Sequence, residues 1–337
     1  MIENDPIVEY YKSPRVSNSL LKSVQNPRVL KLKKDNPELF DEDSVALRVG
    51  SAVDCLLTDP KAWDTKFKVL EVNKPYGFMG TFVSHLPKGI TKESPKEDYM
   101  DAYWMSGYKM SADWVINKFW TTPDAVEYYN TAKQEDVTIL AKDEYDSVKK
   151  AVELVMISPY AHSYFIRTKI HEELLHQVPI YFNLDSVECK GLLDGIKIDH
   201  QEKTIEPFDL KTIGKSVYDF PNNYLAFGYY TQAAFYTYAL QTKESPVYNL
   251  LNEGYTLKDF IFIVTETKTS SFNPALIYTT SEAERNAGMH GGEYNGKRYK
   301  GIYELIEDYL WHVETDQWIY PREIYQNAGR VPLKVFS

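Results

Sequence analysis

Extended and helical hydrophobic periods succeed one another along the chain in an order that predicts a mixed α/β fold. From residue 170 the period is that of strands: LLHQVPIYFNL, VECKGLLDGIKIDH and KTIEPFDLKTI predict three consecutive strands of a meander. A helix over about 222–241, a buried β-branched strand in DFIFIVTET, a short strand near ALIYTT and a helix over about 300–315 follow. Upstream the period is helical. Ser17 or Asn18 can cap a first helix carrying Leu20, Leu21 and Val24, which Pro27 interrupts. Val45, Val49, Val53, Leu56 and Leu57 recur at helical spacing in a second helix, stopped by Pro60, with Asp54 in its middle. A carboxylate there belongs at the solvent boundary or beside a cation, since an unpartnered buried charge is costly. Residues 72–100 are rich in proline and glycine and predict an insertion or lid. Helices over roughly 101–120, 123–133 and 142–157 come next, and the aromatic residues of the first are expected in a core. The stretch GMHGGEYNG predicts a mobile loop.

Length and composition narrow the class. The 337 residues suffice for about two domains or one large domain with insertions. Hydrophobic residues at 43% against charged residues at 26% give an ordinary globular balance and exclude disorder as a description of the whole. No apolar run is long enough to span a membrane, and the acidic opening MIENDPIVEYYKS lacks a signal core, so a cytoplasmic protein is expected. Two distant cysteines, Cys55 and Cys189, supply neither a disulfide framework nor a four-thiolate iron–sulfur site. The net charge of −10 excludes a protein that binds nucleic acid through its overall field, so any such function must come from a local site. The densest basic stretch is Lys22, Arg28, Lys31, Lys33 and Lys34. It is either a solvated helix edge or one that faces phosphate.

The chemistry concentrates in GLLDGIKIDHQEKTIEPFDLKT. A turn centred between Gln201 and Glu202 sets Asp194 directly across from Asp209, with side chains roughly 5 Å apart at their Cβ atoms. Lys211, two residues beyond Asp209, projects from the same face. Opposed carboxylates repel unless a positive charge lies between them, and oxygen donors completed by water suit Mg²⁺ or Mn²⁺. A surface Asp–Lys pair is the plainer alternative. The flanking Leu192, Leu193, Ile196, Ile198, Ile205 and Phe208 speak for a largely buried hairpin instead.

The ordered set Gly191-Leu192-Leu193-Asp194, Asp209-Leu210-Lys211-Thr212 and Gln232-Ala233-Ala234-Phe235-Tyr236 resembles the RecB-type branch of the PD-(D/E)xK nuclease superfamily. SNSLLKSVQNP and RVGSAVDCLLTDP extend the likeness toward the exodeoxyribonuclease VIII (RecE-like) group of phage and prophage recombination nucleases. The resemblance covers most of residues 15–241 and matches 72–140 poorly. It implies a restriction-endonuclease-like core, a central mixed β-sheet flanked by helices, with a helical N-terminal extension. The expected organisation is 1–70 as helices integral to the nuclease domain, 71–140 as an insertion and 141–337 as the core.

The resemblance further implies a Mg²⁺-dependent exodeoxyribonuclease acting on linear duplex DNA. Asp54, Asp194, Asp209 and the Leu210 carbonyl would hold the ion, and Lys211 would position water. The group usually has histidine where Asp54 stands; aspartate keeps a ligand but alters the charge. A further acid before GxxD is common in relatives, and Glu172 and Glu173 are the candidates. Gln232 and Tyr236 would support the site and contact DNA. Lys215, with Lys31, Lys33 and Lys34, would line a homo-oligomeric ring working beside a single-strand annealing protein in a bacterial host cytoplasm. A structure-specific or restriction-type endonuclease uses the same site. A non-catalytic acidic regulator is the alternative of another class. No Walker-type loop is present, so the chain drives no helicase of its own.

Overall fold

The computed structural model describes residues 6–36, 44–70, 72, 74–134 and 137–333, and the chain divides into two compact units. The first comprises Met1–Glu42, Leu154–Glu266 and Phe272–Ser337; the second comprises Asp43–Glu153 and Thr267–Ser271. The strands, in chain order, are β1 (Phe67–Val69), β2 (Thr138–Leu140), β3 (Glu172–Leu184), β4 (Val187–Asp199), β5 (Thr204–Ile213), β6 (Thr256–Leu257), β7 (Ile261–Glu266), β8 (Leu276–Thr279), β9 (Gly292–Tyr294) and β10 (Lys297–Tyr299).

The first unit is built on a mixed sheet in the order β3-β4-β5-β7-β8, with β6 also against β5. The expected meander forms β3, β4 and β5, which run antiparallel. The chain then passes through the helix Tyr229–Leu240 and returns as β7, parallel to β5. β7 is buried at every position, as its unbroken apolar run requires. The Tyr229–Leu240 helix is also buried nearly all round, with Ala233, Phe235, Ala239 and Leu240 in the same core as Ile180, Phe182, Leu193 and Phe262. This is the mixed α/β core that the hydrophobic pattern predicts, with the central mixed sheet flanked by helices that the resemblance implies.

The β4–β5 turn has no Asn-Gly or Asp-Gly pair, and Asp199 takes over that role. Its Oδ1 accepts hydrogen bonds from the amides of Gln201 (3.0 Å) and Glu202 (2.9 Å), while Lys203 closes the loop with φ +49°.

In the second unit, Ser44 caps the helix Val45–Thr58, its Oγ accepting from the Leu47 amide. β1 and β2 pair in parallel, Arg48 is ion-paired with Glu144, and Trp63 packs on Tyr145. A separate core gathers Phe82, Tyr99, Val115, Phe119 and Tyr129. No helix among the described residues is long and apolar enough to cross a membrane.

Within the second unit lie the Arg48–Glu144 pair and the β1–β2 ladder. Three expectations are revised. The helix expected over 222–241 is two helices, Phe220–Ala226 and Tyr229–Leu240, separated at Gly228, whose φ of +64° lies outside helical geometry. The helix expected over 101–120 is likewise two, broken at Gly107 (φ +72°), which leaves Trp104 and Trp114 exposed while Phe119 is buried. GMHGGEYNG is an ordered helix end followed by the β9–β10 hairpin; its turn is Asn295-Gly296, both at positive φ, as a type I′ turn demands.

Candidate active site

Residues of β4 and β5 pair from Asp199↔Thr204 to Gly195↔Phe208, and there the ladder stops. Asp194 and Asp209 each lie one residue beyond that last rung, the positions that the sequence reading opposes. β5 continues from Phe208 as the partner of β7, and β4 continues toward Val187 as the partner of β3. The two strands therefore splay at the carboxylate pair. The Leu210 amide, left without a rung on β4, donates to Asp194 Oδ2 at 2.8 Å. A carboxylate thus satisfies the backbone where the sheet opens.

Asp209 is buried. Its Oδ1 accepts from Gln232 Nε2 at 2.5 Å. Its Oδ2 lies 2.6 Å from Lys211 Nζ, paired by charge but not aligned for a hydrogen bond. The Lys211 ammonium also sits 4.7 Å from the Tyr229 ring centroid. Burial works to lower the Lys211 pKa, but the Asp209 and Asp194 charges outweigh it and leave it above the ordinary lysine value. Lys211 is accordingly a proton-bearing cation at neutral pH.

The helix Tyr229–Leu240 presents Gln232 and Tyr236, four residues apart, on one face. Burial, then the Tyr10, Asp209 and Asp194 groups nearby, push the Tyr236 phenol well above its ordinary range, so it stays neutral. A Cβ at position 191 would stand 2.9 Å from Tyr236 Cε1, so the glycine of Gly191-x-x-Asp194 makes room for the tyrosine of Gln232-x-x-x-Tyr236. The motifs recognised along the sequence are parts of one packing arrangement.

Other candidates lie elsewhere. Glu172 pairs with Asp199, five residues along β4 from Asp194 and hence roughly 17 Å away, and Glu173 is opposite Ile198. Neither joins the carboxylate pair. Glu172 is a buried structural group: Thr168 Oγ1 (2.8 Å) and the Thr168 and Lys169 amides donate to it, and Lys197 Nζ stands 3.1 Å away. Burial would raise its pKa, yet these partners hold it down to about 2. A depressed carboxyl pKa stabilises the fold above the unfolded value and loses that contribution as pH falls through the folded one. The stability advantage of wild type over Glu172→Gln is therefore expected to be full above about pH 5 and to fade between pH 4 and 2. Urea denaturation across that range checks it, and a constant difference would remove the assignment.

Lys215 is exposed beyond the end of β5. Lys31 stands 3.6 Å from Asp35 and 3.4 Å from Asp316, so much of its charge is matched on the protein. Asp54 is half-buried in the Val45–Thr58 helix of the second unit. Among the described residues no three His, Cys, Asp or Glu side chains are gathered as a metal-binding group; at the splay the chain offers two carboxylates. Tyr229 was not singled out from the sequence. Its signal was its place one helical turn before Gln232, on the same face.

No protein-family model matches the sequence, and no curated protein is significantly similar to it. Among solved structures, the chain is similar to one from Eubacterium rectale named "putative exonuclease", at 14% identity and a TM-score of 0.49, over 100% of this chain and 96% of that one.

Proposed function

We propose that this chain is a divalent-cation-dependent nuclease that hydrolyses DNA phosphodiester bonds from the ends of linear duplexes. The observation that carries the reading is the Asp194–Asp209 pair at the point where β4 and β5 part, with Lys211 on the same face. A buried sheet that opposes two carboxylates and adds a proton-bearing lysine accepts electrostatic cost for a purpose, since like charges across a ladder are destabilising. The donors are oxygen alone, and Asp209 Oδ2 is a buried atom with no aligned hydrogen bond; this set fits a hard cation such as Mg²⁺ or Mn²⁺. Asp194, Asp209 and the Leu210 carbonyl would hold it. When bound, the ion supplies a Lewis acid for phosphoryl oxygens and acidifies water.

The chain's own residues do the rest. Gln232 holds Asp209 in one orientation through Oδ1, which leaves Oδ2 beside the Lys211 ammonium. Lys211 keeps its proton and so orients an attacking water and offsets the negative charge that develops on the phosphate. Neutral Tyr236 packs its ring against Gly191 on the same helical face as Gln232.

The test is incubation of purified protein with end-labelled linear duplex and with covalently closed circles, with Mg²⁺, Mn²⁺ or excess EDTA. Progressive release of nucleotides from linear DNA, sparing of circles and silence in EDTA are expected. Undiminished cleavage in EDTA, or none with either ion, overturns the reading. Circles cut as fast as linear DNA overturn end-dependence and leave an endonuclease.

A further inference from the structure

The sheet's open notch has a second basic neighbour that the proposed chemistry has not used. Lys22 ends the short helix Asn18–Lys22, which Ser17 caps through Oγ at 3.3 Å from the Leu20 amide. The segment before it is anchored to the very half of β4 that β5 abandons: the Val16 amide donates to the Glu188 carbonyl and the Lys190 amide to the Val16 carbonyl, both at 2.9 Å. This pairing carries the opening helix alongside the splay.

Gly228 shapes the other wall. At φ +64° it breaks the helical run between Phe220–Ala226 and Tyr229–Leu240. The Lys22 ammonium donates to the Phe227 carbonyl freed at that break, at 2.9 Å. A Cβ on Gly228 would come 3.2 Å from Lys22 Cδ, so the lysine stem lies against the glycine. Tyr229 follows directly, and two ammonium groups converge on its ring: Lys22 Nζ at 6.0 Å and Lys211 Nζ at 4.7 Å from the centroid. Lys211 has Asp209 as counter-ion; Lys22 is held by a neutral carbonyl and a ring face.

Two cations gather at one aromatic ring beside the Asp194–Asp209 pair, and of the two it is Lys211 that has a carboxylate in contact, while Lys22 Nζ meets a neutral carbonyl and so presents its charge to an incoming anion. That crowding is felt at Lys22, whose pKa burial and the Lys211 charge bring down to about 8 despite the opposing pull of Asp209.

We propose that Lys22 is a second substrate-binding cation of this site, gripping a non-bridging oxygen of the phosphodiester beside the one that Lys211 attends. The assignment rests on the nuclease reading. It gives the break at Gly228 a task, since an unbroken helix would occupy the Phe227 carbonyl internally and withdraw the anchor that aims the lysine. A purely structural Lys22 would cap the Phe220–Ala226 helix end and contribute stability without touching DNA.

The experiment compares wild type, Lys22→Met and Lys22→Arg, all as the full chain. A fluorescein-labelled short duplex is titrated in EDTA at several salt concentrations and read by anisotropy; cleavage with Mg²⁺ is measured in parallel. Methionine keeps the apolar stem and removes the charge. Lys22→Met is expected to bind about tenfold more weakly at low salt, to lower the slope of log K against log salt by about one, and to raise KM more than it lowers kcat. Lys22→Arg is expected to restore both affinity and slope. A folded Lys22→Met protein with wild-type affinity and slope overturns the proposal while a cleaving wild type leaves the nuclease reading standing. Failure of Lys22→Arg to restore the slope also overturns it. A wild type that neither binds nor cleaves DNA overturns both.

Discussion

Asp209→Asn is expected to reduce phosphodiester hydrolysis by about 10³-fold or more while leaving a folded protein. Asparagine keeps the volume of the side chain, and its carbonyl oxygen can still accept from Gln232 Nε2, so the geometry around Oδ1 survives. What disappears is the charge. Lys211 loses the carboxylate 2.6 Å from its ammonium, and the oxygen that would meet a cation becomes an amide. A loss of about 4 kcal/mol of transition-state stabilisation corresponds to roughly a thousandfold in rate. The fold is cushioned against the change, because losing the Lys211 pairing coincides with relief of repulsion between Asp194 and Asp209. Single-turnover cleavage together with circular dichroism decides the matter. A variant that keeps more than a tenth of wild-type activity would show that Asp209 is not part of the chemistry.

Gly195→Ala is expected to destabilise the first unit by about 3 kcal/mol, the upper end for overpacking a well-filled core. Gly195 stands opposite Phe208 at the last rung before the splay. A Cβ there would fall 2.1 Å from Phe208 Cζ and 2.4 Å from Cε1, far inside contact distance. Phe208 cannot withdraw. It is fully buried, with Tyr164, Phe165 and His176 packed edge-on around it. The collision must be absorbed by backbone movement in β4 or β5, next to Asp194 and Asp209, so activity should fall along with stability. Urea denaturation gives the measure, and a midpoint equal to wild type would contradict the packing described.

Much of this site is legible in the sequence because it is built from local periodicities. Strand alternation sets which face each side chain takes, and a turn centre sets which residues oppose; the pairing found from Asp199↔Thr204 to Gly195↔Phe208 follows the register inferred from HQEK. Gln232 and Tyr236 share a face by helical spacing alone. The rest depends on neighbours that the local pattern does not contain. Gly228 sits in a tyrosine-rich helical stripe, and the Phe227 carbonyl beside its break is met by Lys22, more than two hundred residues earlier. The allocation of 45–58 and 142–153 to one unit turns on Arg48 meeting Glu144 across ninety-six positions. Trp104 looks like core in a continuous helix and is exposed once Gly107 divides it. The Asn295-Gly296 turn was readable in principle, but its glycine-rich setting masked the hairpin.

The bridge at Val16 also covers an edge of the sheet. Where β5 leaves β4, the peptide groups near Cys189 would form an open edge in the middle of a sheet, and an extended open edge is a template for other chains. The residues just ahead of the opening helix occupy that edge like the flap of an envelope, with Lys190 Nζ bonded to the Tyr10 and Ser13 carbonyls at 2.8 Å as its seal. A protein trimmed to begin beyond residue 16 would keep every catalytic candidate and lose this seal, turning an interior strand into a sticky one.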